Sequence, residues 1–190
     1  TSIMKIESEK IIEGFKIPII DIEKGTFLRL WIEINVKHSK EFNLETFLKK
    51  ICIFIIQSQK RKFIRAKIIK ENLFLRIFFS KKVKSFFHKN QINLSIENIL
   101  ELNEIGIDLN SNLKSLNHRQ IKLLSIYTCL NKHENVIFDY FGLGPNEEKF
   151  LTNYLQKTLL KKRIIALDNL DYLSDKIAND KIININVVKI

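Results

Sequence analysis

The spacing of apolar residues along this chain shifts from stretch to stretch, and the shifts mark out its elements. Residues 3–34 read as strands: IMKIES, FKIPIIDIE and, after Lys24-Gly25, FLRLWIEI. In the last of these, Leu28, Leu30, Ile32 and Ile34 alternate with Arg29, Trp31 and Glu33, the period of two expected of a strand. A polar connection over residues 35–42 follows. From about Asn43 the spacing becomes three and four, through Leu44, Phe47, Leu48, Ile51, Cys52 and Ile55, as a helix requires. Residues 60–89 are the basic third of the chain, and LFLRIFF within them predicts a strand. Ser95 can cap a helix that runs through Leu102 and is closed by Gly106, since glycine tolerates the left-handed conformation there. Asn117 can cap the next helix, which carries Ile121, Leu124, Tyr127 and Thr128. A short apolar strand over 136–138 then ends in Asp139 and meets a Gly/Pro turn over 142–145. The helix from Asn146 has Phe150, Leu151, Tyr154, Leu155 and Leu159 on one face. It ends in Lys161, Lys162 and Arg163, cations suited to the negative end of the helix dipole. A second apolar strand, an acidic-aromatic helix and a third strand complete the pattern. No repeat, linker or boundary interrupts it, so residues 1–190 read as one domain.

Composition narrows this further. A hydrophobic content of 45% with 14 Phe supports a sizeable core and excludes a disordered chain. Alanine occurs only at positions 66, 166 and 178, whereas Ile, Lys and Asn abound, the signature of an A+T-rich genome. The net charge of +11 attracts phosphates, whether on nucleic acid, anionic lipid or nucleotides, although A+T-rich codons supply part of the lysine regardless. Within 60–89 the cations interleave with Phe63, Phe74, Phe78, Phe79, Phe86 and Phe87. That pattern can serve nucleic acid through phosphate contacts and stacking, or it can be apolar core beneath a solvated basic face. No helix-turn-helix, RNP or zinc-finger pattern accompanies it. Cys52 and Cys129 sit in apolar runs and are expected to be buried free thiols in a reducing compartment. With four scattered His they offer no ligand spacing, so no metal site is expected. Nucleophilic catalysis lacks both G-x-S-x-G and an activated cysteine. No apolar run approaches the ~20 residues of a membrane-spanning helix, and the N-terminus has no apolar signal core. The expectation is a soluble or peripheral protein.

The order strand–Asp139–turn–helix–strand–helix–strand resembles the second half of a phosphate-binding α/β ATPase, and the ATP-binding cassette (ABC) ATPases in particular. VIFD resembles their Walker B strand, which puts Asp139 where the family holds Mg²⁺ through water. Tyr140 stands at the place of the catalytic glutamate, and Asp168 in RIIALDN at that of the switch histidine. NDKIININ is similar to the family's closing strand, and EKGTFLRLWIEI to the strand that leads into its phosphate loop. The loop itself, G-x-x-x-x-G-K-[ST], is missing, because the glycines at 14, 25, 106, 142 and 144 include no pair so spaced. NLETFL keeps the helix after that loop without its Gly and Lys. Leu116, Asn117, His118, Arg119 and Gln120 stand where the family has L-S-G-G-Q. His118 and Arg119 would obstruct a close approach of that backbone to phosphate; they read equally as exposed polar residues at a helix start. In FFHKNQINLSIENILEL, His88, Gln91, Leu94, Glu97 and Asn98 resemble the Q-loop region of the haem-export ATPases of cytochrome c maturation. Related transporter ATPases share T-V-x-E-N-L at this point.

The resemblance implies an α/β, P-loop-NTPase-like fold of three layers, with a mainly parallel core sheet, flanking helices and an antiparallel N-terminal portion. It also implies a vestigial nucleotide site at Asp139, Gln91 and Asp168, a signature-like segment from Leu116 to Gln120, and a partner-docking surface including His88, Ile96 and Ile99. No catalytic residue and no protein-held metal are expected; the only cofactor to consider is ATP with Mg²⁺. The implied protein is a non-hydrolysing or weakly nucleotide-binding subunit that docks on a membrane permease, in the context of haem export. It would sit at the inner membrane, on the cytoplasmic or organelle-matrix side, and could pair with itself or with another ABC domain. The competing expectation, from charge alone, is a nucleic-acid- or ribosome-associated protein.

Overall fold

The structure, a computed structural model, describes residues 4–6, 10–17, 19–32, 43–58, 62–68, 81–168 and 182–189. The LFLRIFF strand, the polar connection and the acidic-aromatic helix lie outside the described residues. The chain forms two compact units, one of residues 1–65, 133–141 and 158–190, the other of 66–132 and 142–157.

The first unit is built on β-sheet. Its strands are β1 (Met4–Ile6), β2 (Lys10–Ile12), β3 (Phe15–Ile17), β4 (Ile20–Ile22), β5 (Thr26–Ile32), β6 (Ile64–Arg65), β7 (Asn135–Asp139), β8 (Arg163–Asp168) and β9 (Ile182–Lys189). The larger sheet has the order β2-β3-β9-β5-β8-β7-β6, and β1 pairs separately with β4. Every pair from β9 across to β6 is parallel, while β2, β3 and β9 are joined antiparallel. The mainly parallel sheet with an antiparallel N-terminal portion therefore agrees with the expectation. Glu13 (φ 51) and Gly14 (φ 81) make the β2–β3 connection. Positive φ at both central residues is what a two-residue hairpin turn needs to match strand twist. The run FKIPIIDIE is two strands in different sheets; Pro18 within it has no N–H to give a continuous ladder.

Helix α1 (Leu44–Ser58) starts where the spacing predicts, with the Thr46 N–H donating to Asn43 Oδ1 at 2.9 Å. Its Phe47, Leu48, Ile51, Cys52 and Ile55 pack with Leu28, Leu30, Ile32, Ile137, Ile165 and Leu167 in one buried cluster. These sheet residues alternate along their strands, so α1 covers one sheet face. The opposite face carries Phe27, Arg29, Phe138, Ile164, Ala166 and Asp168, all buried as well. Arg29 is thus interior rather than on a polar outer face, because the parallel sheet is covered on both sides.

The second unit holds α2 (Val83–Lys89), α3 (Ile96–Glu104), α4 (His118–Lys132) and α5 (Pro145–Thr158). Ser95 caps α3, its Oγ accepting from the Asn98 N–H at 3.1 Å, and Gly106 (φ 76) follows the helix end, both as expected. α5 starts with Gly144 and Pro145, and Glu147 Oε2 accepts the Gly144 N–H at 3.0 Å. Cys52 and Cys129 are buried thiols that form no disulfide. Among the described residues no helix is long and apolar enough to cross a membrane.

Candidate functional site

Asp139 and Asp168 end neighbouring parallel strands, with Asp139 paired to Leu167 and Trp31 to Asp168. At such strand ends an open α/β sheet places its ligands. Side chains alternate along a strand, so these two carboxylates leave the sheet on opposite faces: Asp139 with Ile137 towards the α1 side, Asp168 with Ala166 away from it. The structure brings them to one edge without making them converge on one ligand.

Each carboxylate has an arginine of its own unit. Asp168 Oδ2 accepts from Arg29 Nε at 2.6 Å and also meets Arg29 Nη2. This pair is shut off from water, with side-chain exposures of 4% for Arg29 and 0% for Asp168. The Arg29 guanidinium lies 5.5 Å from the Trp31 ring and 5.6 Å from the Tyr140 ring. Aromatic faces on a cation add attraction that substitutes in part for lost hydration. Tyr140 is buried, 5.1 Å from Phe138 ring to ring, and its N–H bonds to the Leu167 carbonyl at 3.0 Å, extending the strand ladder by a residue. On the other face, Arg65 Nη2 stands 3.6 Å from Asp139 Oδ2. Arg65 arrives on the short edge strand β6, which pairs in parallel with β7.

Neither arginine was singled out by sequence reasoning. Arg29 looks like the polar partner in an alternating strand, and Arg65 like one cation in a basic run. The available signal was a charge between bulky apolar residues in the strand leading to the site.

The remaining predicted residues belong to the second unit. Gln91 (φ 57) is exposed in the connection between α2 and α3, and His88 is exposed on α2. Ile96 is 78% exposed and Ile99 half-buried; of α3's residues only Leu102 is buried. Leu116 is buried, while Asn117, His118 and Arg119 are exposed. Asn117 Oδ1 accepts the Gln120 N–H at 3.0 Å and Gln120 Oε1 accepts the Asn117 N–H at 3.0 Å, a reciprocal helix cap. Gln120 Nε2 donates to the carbonyls of Ile105 (3.0 Å) and Gly106 (3.1 Å), so its amide ties α4 to the end of α3. Arg119 reaches the start of α5: a Cβ on Gly144 would meet Glu147 Oε2 at 2.8 Å and Arg119 Nη1 at 3.1 Å. No cluster of His, Cys, Asp and Glu able to hold a metal occurs among the described residues.

No protein-family model and no curated protein matches this sequence. Solved structures do. An ATP-binding protein assigned to an ABC transporter of Pyrococcus furiosus is similar over 98% of both chains, with a TM-score of 0.57 and 15% identity. A nucleotide-free ATP-binding cassette of an ABC transporter is similar over 98% of this chain and 89% of its own, at a TM-score of 0.53 and 14% identity. An ATP-binding cassette in its ADP conformation gives a TM-score of 0.53 at 13% identity over the same shares. At this identity the likeness is one of fold: the chain has the α/β fold of ABC transporter ATP-binding domains.

Proposed function

We propose that the chain is an ABC-type subunit that binds nucleotide weakly or not at all, does not hydrolyse it, and docks on a membrane transporter. What carries the non-hydrolysing half is that each carboxylate of the sheet edge already has a cation, Arg65 beside Asp139 and Arg29 on Asp168. Phosphoryl transfer by this class of fold depends on charge stabilisation by Mg²⁺ and a residue that orients the attacking water. At Asp139 the Arg65 cation competes with Mg²⁺ by charge, and the sequence has no phosphate-loop Gly and Lys to hold the nucleotide that would bring the metal. Tyr140, buried between the strands' side chains, offers no carboxylate to water. ATP with Mg²⁺ remains the ligand to test at Asp139, with retention at most weak.

The docking half rests on α3. Ile96 and Leu100, one helical turn apart, are 78% and 58% exposed, with Ile99 half-buried beside them. Apolar residues at this spacing make a strip that a partner can cover. The partner in this reading is the permease of a transporter, which places the chain peripherally at the inner membrane on the cytoplasmic or matrix side. The segment from His88 to Asn98 makes haem export the transport context to test first. A dimer with itself or with another ABC domain would use the face presenting His118 and Arg119.

Crosslinking in native membranes tests the docking half. Crosslinks to an integral membrane protein should concentrate in residues 80–105. Recovery wholly in the soluble fraction, with no membrane crosslink, would remove it.

A further inference from the structure

At the sheet edge opposite Asp139 and Asp168, Thr26, Asn135 and Arg163 begin β5, β7 and β8 in register, and the connections of the first unit are bonded to one another. The Gly25 N–H donates to the Lys162 carbonyl and the Arg163 N–H to the Glu134 carbonyl, each at 2.8 Å. Lys162 Nζ donates to the His133 carbonyl at 3.1 Å, Asn135 Nδ2 donates to the Lys62 carbonyl at 3.3 Å, and Lys24 Nζ stands 3.1 Å from Glu134 Oε2. The turn over 159–161 buries Leu159 and leaves Leu160 72% exposed. A Cβ on Gly25 would lie 3.7 Å from the Leu160 carbonyl oxygen, so Lys24 and Gly25 border that turn. Among the described residues these connections carry Lys24, Lys62, Lys161 and Lys162 against Glu23 and Glu134. Their aromatic side chain, Phe63, is buried.

We infer that this edge rests on an anionic bilayer surface, with Leu160 inserted among the headgroups and Lys62, Lys161 and Lys162 against their phosphates and carboxylates. The inference goes beyond the docking reading and is independent of it, since it concerns the first unit and a lipid partner. An exposed leucine alone selects no partner. Lysines beside it do, because interfacial binding adds buried apolar area to attraction for anionic lipid. The exposed Ile96 and Leu100 of α3 lack this combination. That helix carries Glu97, Glu101 and Glu104, of which Lys157 meets the first two, and no cation of its own. Nucleic acid would use the same cations but stack its bases on open aromatic faces, and this edge presents an aliphatic side chain instead.

The assay is sedimentation of the full purified chain with vesicles of phosphatidylcholine and phosphatidylserine, against phosphatidylcholine alone. The mixed vesicles should retain the chain at least about tenfold better, and retention should weaken as salt shortens the reach of exposed charges. Lys62→Glu with Lys161→Glu should weaken it about tenfold or more, because two lysines at the lipid surface are reversed. Leu160→Ser should weaken it about threefold or more, since less apolar area is left to bury. Lys84→Glu with Lys89→Glu, at exposed positions of the second unit, lowers the net charge equally and should change retention less than about twofold. No retention on the mixed vesicles, or equal retention on phosphatidylcholine alone, overturns the inference. Equal weakening by the two double variants overturns it as well, reducing the effect to net charge, as does a Leu160→Ser chain retained like the native one. Single-stranded RNA bound more tightly than the vesicles, and lost with Lys62→Glu and Lys161→Glu, would assign the edge to nucleic acid instead. The vesicles contain no protein, so a failure here leaves permease docking standing.

Discussion

Asp168→Ala tests whether the sheet edge is sealed as the structure indicates. The substitution leaves the Arg29 guanidinium, 3% exposed as a residue, without its carboxylate. Removing one member of a buried pair typically costs about 3–5 kcal/mol, because the remaining charge is desolvated and uncompensated. The rings of Trp31 and Tyr140, 5.5 and 5.6 Å from the guanidinium, retain part of its attraction. The loss should therefore lie near the lower end, about 3 kcal/mol. With a urea slope of about 2 kcal/mol per M, the midpoint should fall by about 1.5 M. Trp31 is the chain's single tryptophan and lies against this pair, so its fluorescence reports unfolding of the relevant unit. Arg29→Met with Asp168→Leu replaces both charges by apolar groups and should recover most of the loss, to within about 1 kcal/mol of the native chain. Asp139→Ala provides contrast: at 3.6 Å, with Arg65 21% exposed, its pair should be worth about 1 kcal/mol. A midpoint shift for Asp168→Ala no larger than that for Asp139→Ala would refute the sealed-pair account.

Two further outcomes follow from the second unit. Asn117→Ala removes half of the reciprocal cap on α4 and should cost about 1 kcal/mol, read as a lower thermal midpoint by circular dichroism; Gln120→Ala should cost more, since it also frees the carbonyls of Ile105 and Gly106. Burial, with Tyr154 alongside, pushes the Tyr127 phenol up to about 12 from its ordinary 10. The folded state therefore holds this proton more tightly than the unfolded one. The corresponding stability is fully present below pH 10 and is lost as pH rises towards 12, so Tyr127→Phe should flatten stability across that window. Phenolate absorbance appearing in the native chain with an ordinary midpoint for Tyr127 would contradict this.

What the sequence made legible was local. Asn43, Ser95 and Asn117 announce helix starts because a cap is satisfied within three residues. Gly106 likewise marks a helix end through a conformation few other residues tolerate. Ordered apolar strands with helices between them sufficed for a mainly parallel sheet. What stayed hidden was non-local. Arg29 meets Asp168 across 139 positions, and alternation alone does not tell an outward polar residue from a buried one on a sheet covered on both faces. β6 escaped because two residues carry no period; only its pairing with β7 places Arg65 at Asp139. The opposite facing of Asp139 and Asp168 required the register between β7 and β8.

The central claim is that this ABC-type fold does not turn over ATP, and phosphate release from the purified chain with saturating Mg²⁺–ATP tests it most directly. The account predicts a rate indistinguishable from a protein-free blank and unchanged in Asp139→Ala. Saturable, Mg²⁺-dependent phosphate release that disappears in Asp139→Ala would contradict it, since Asp139 would then be holding the metal despite the Arg65 beside it and without a phosphate-loop lysine.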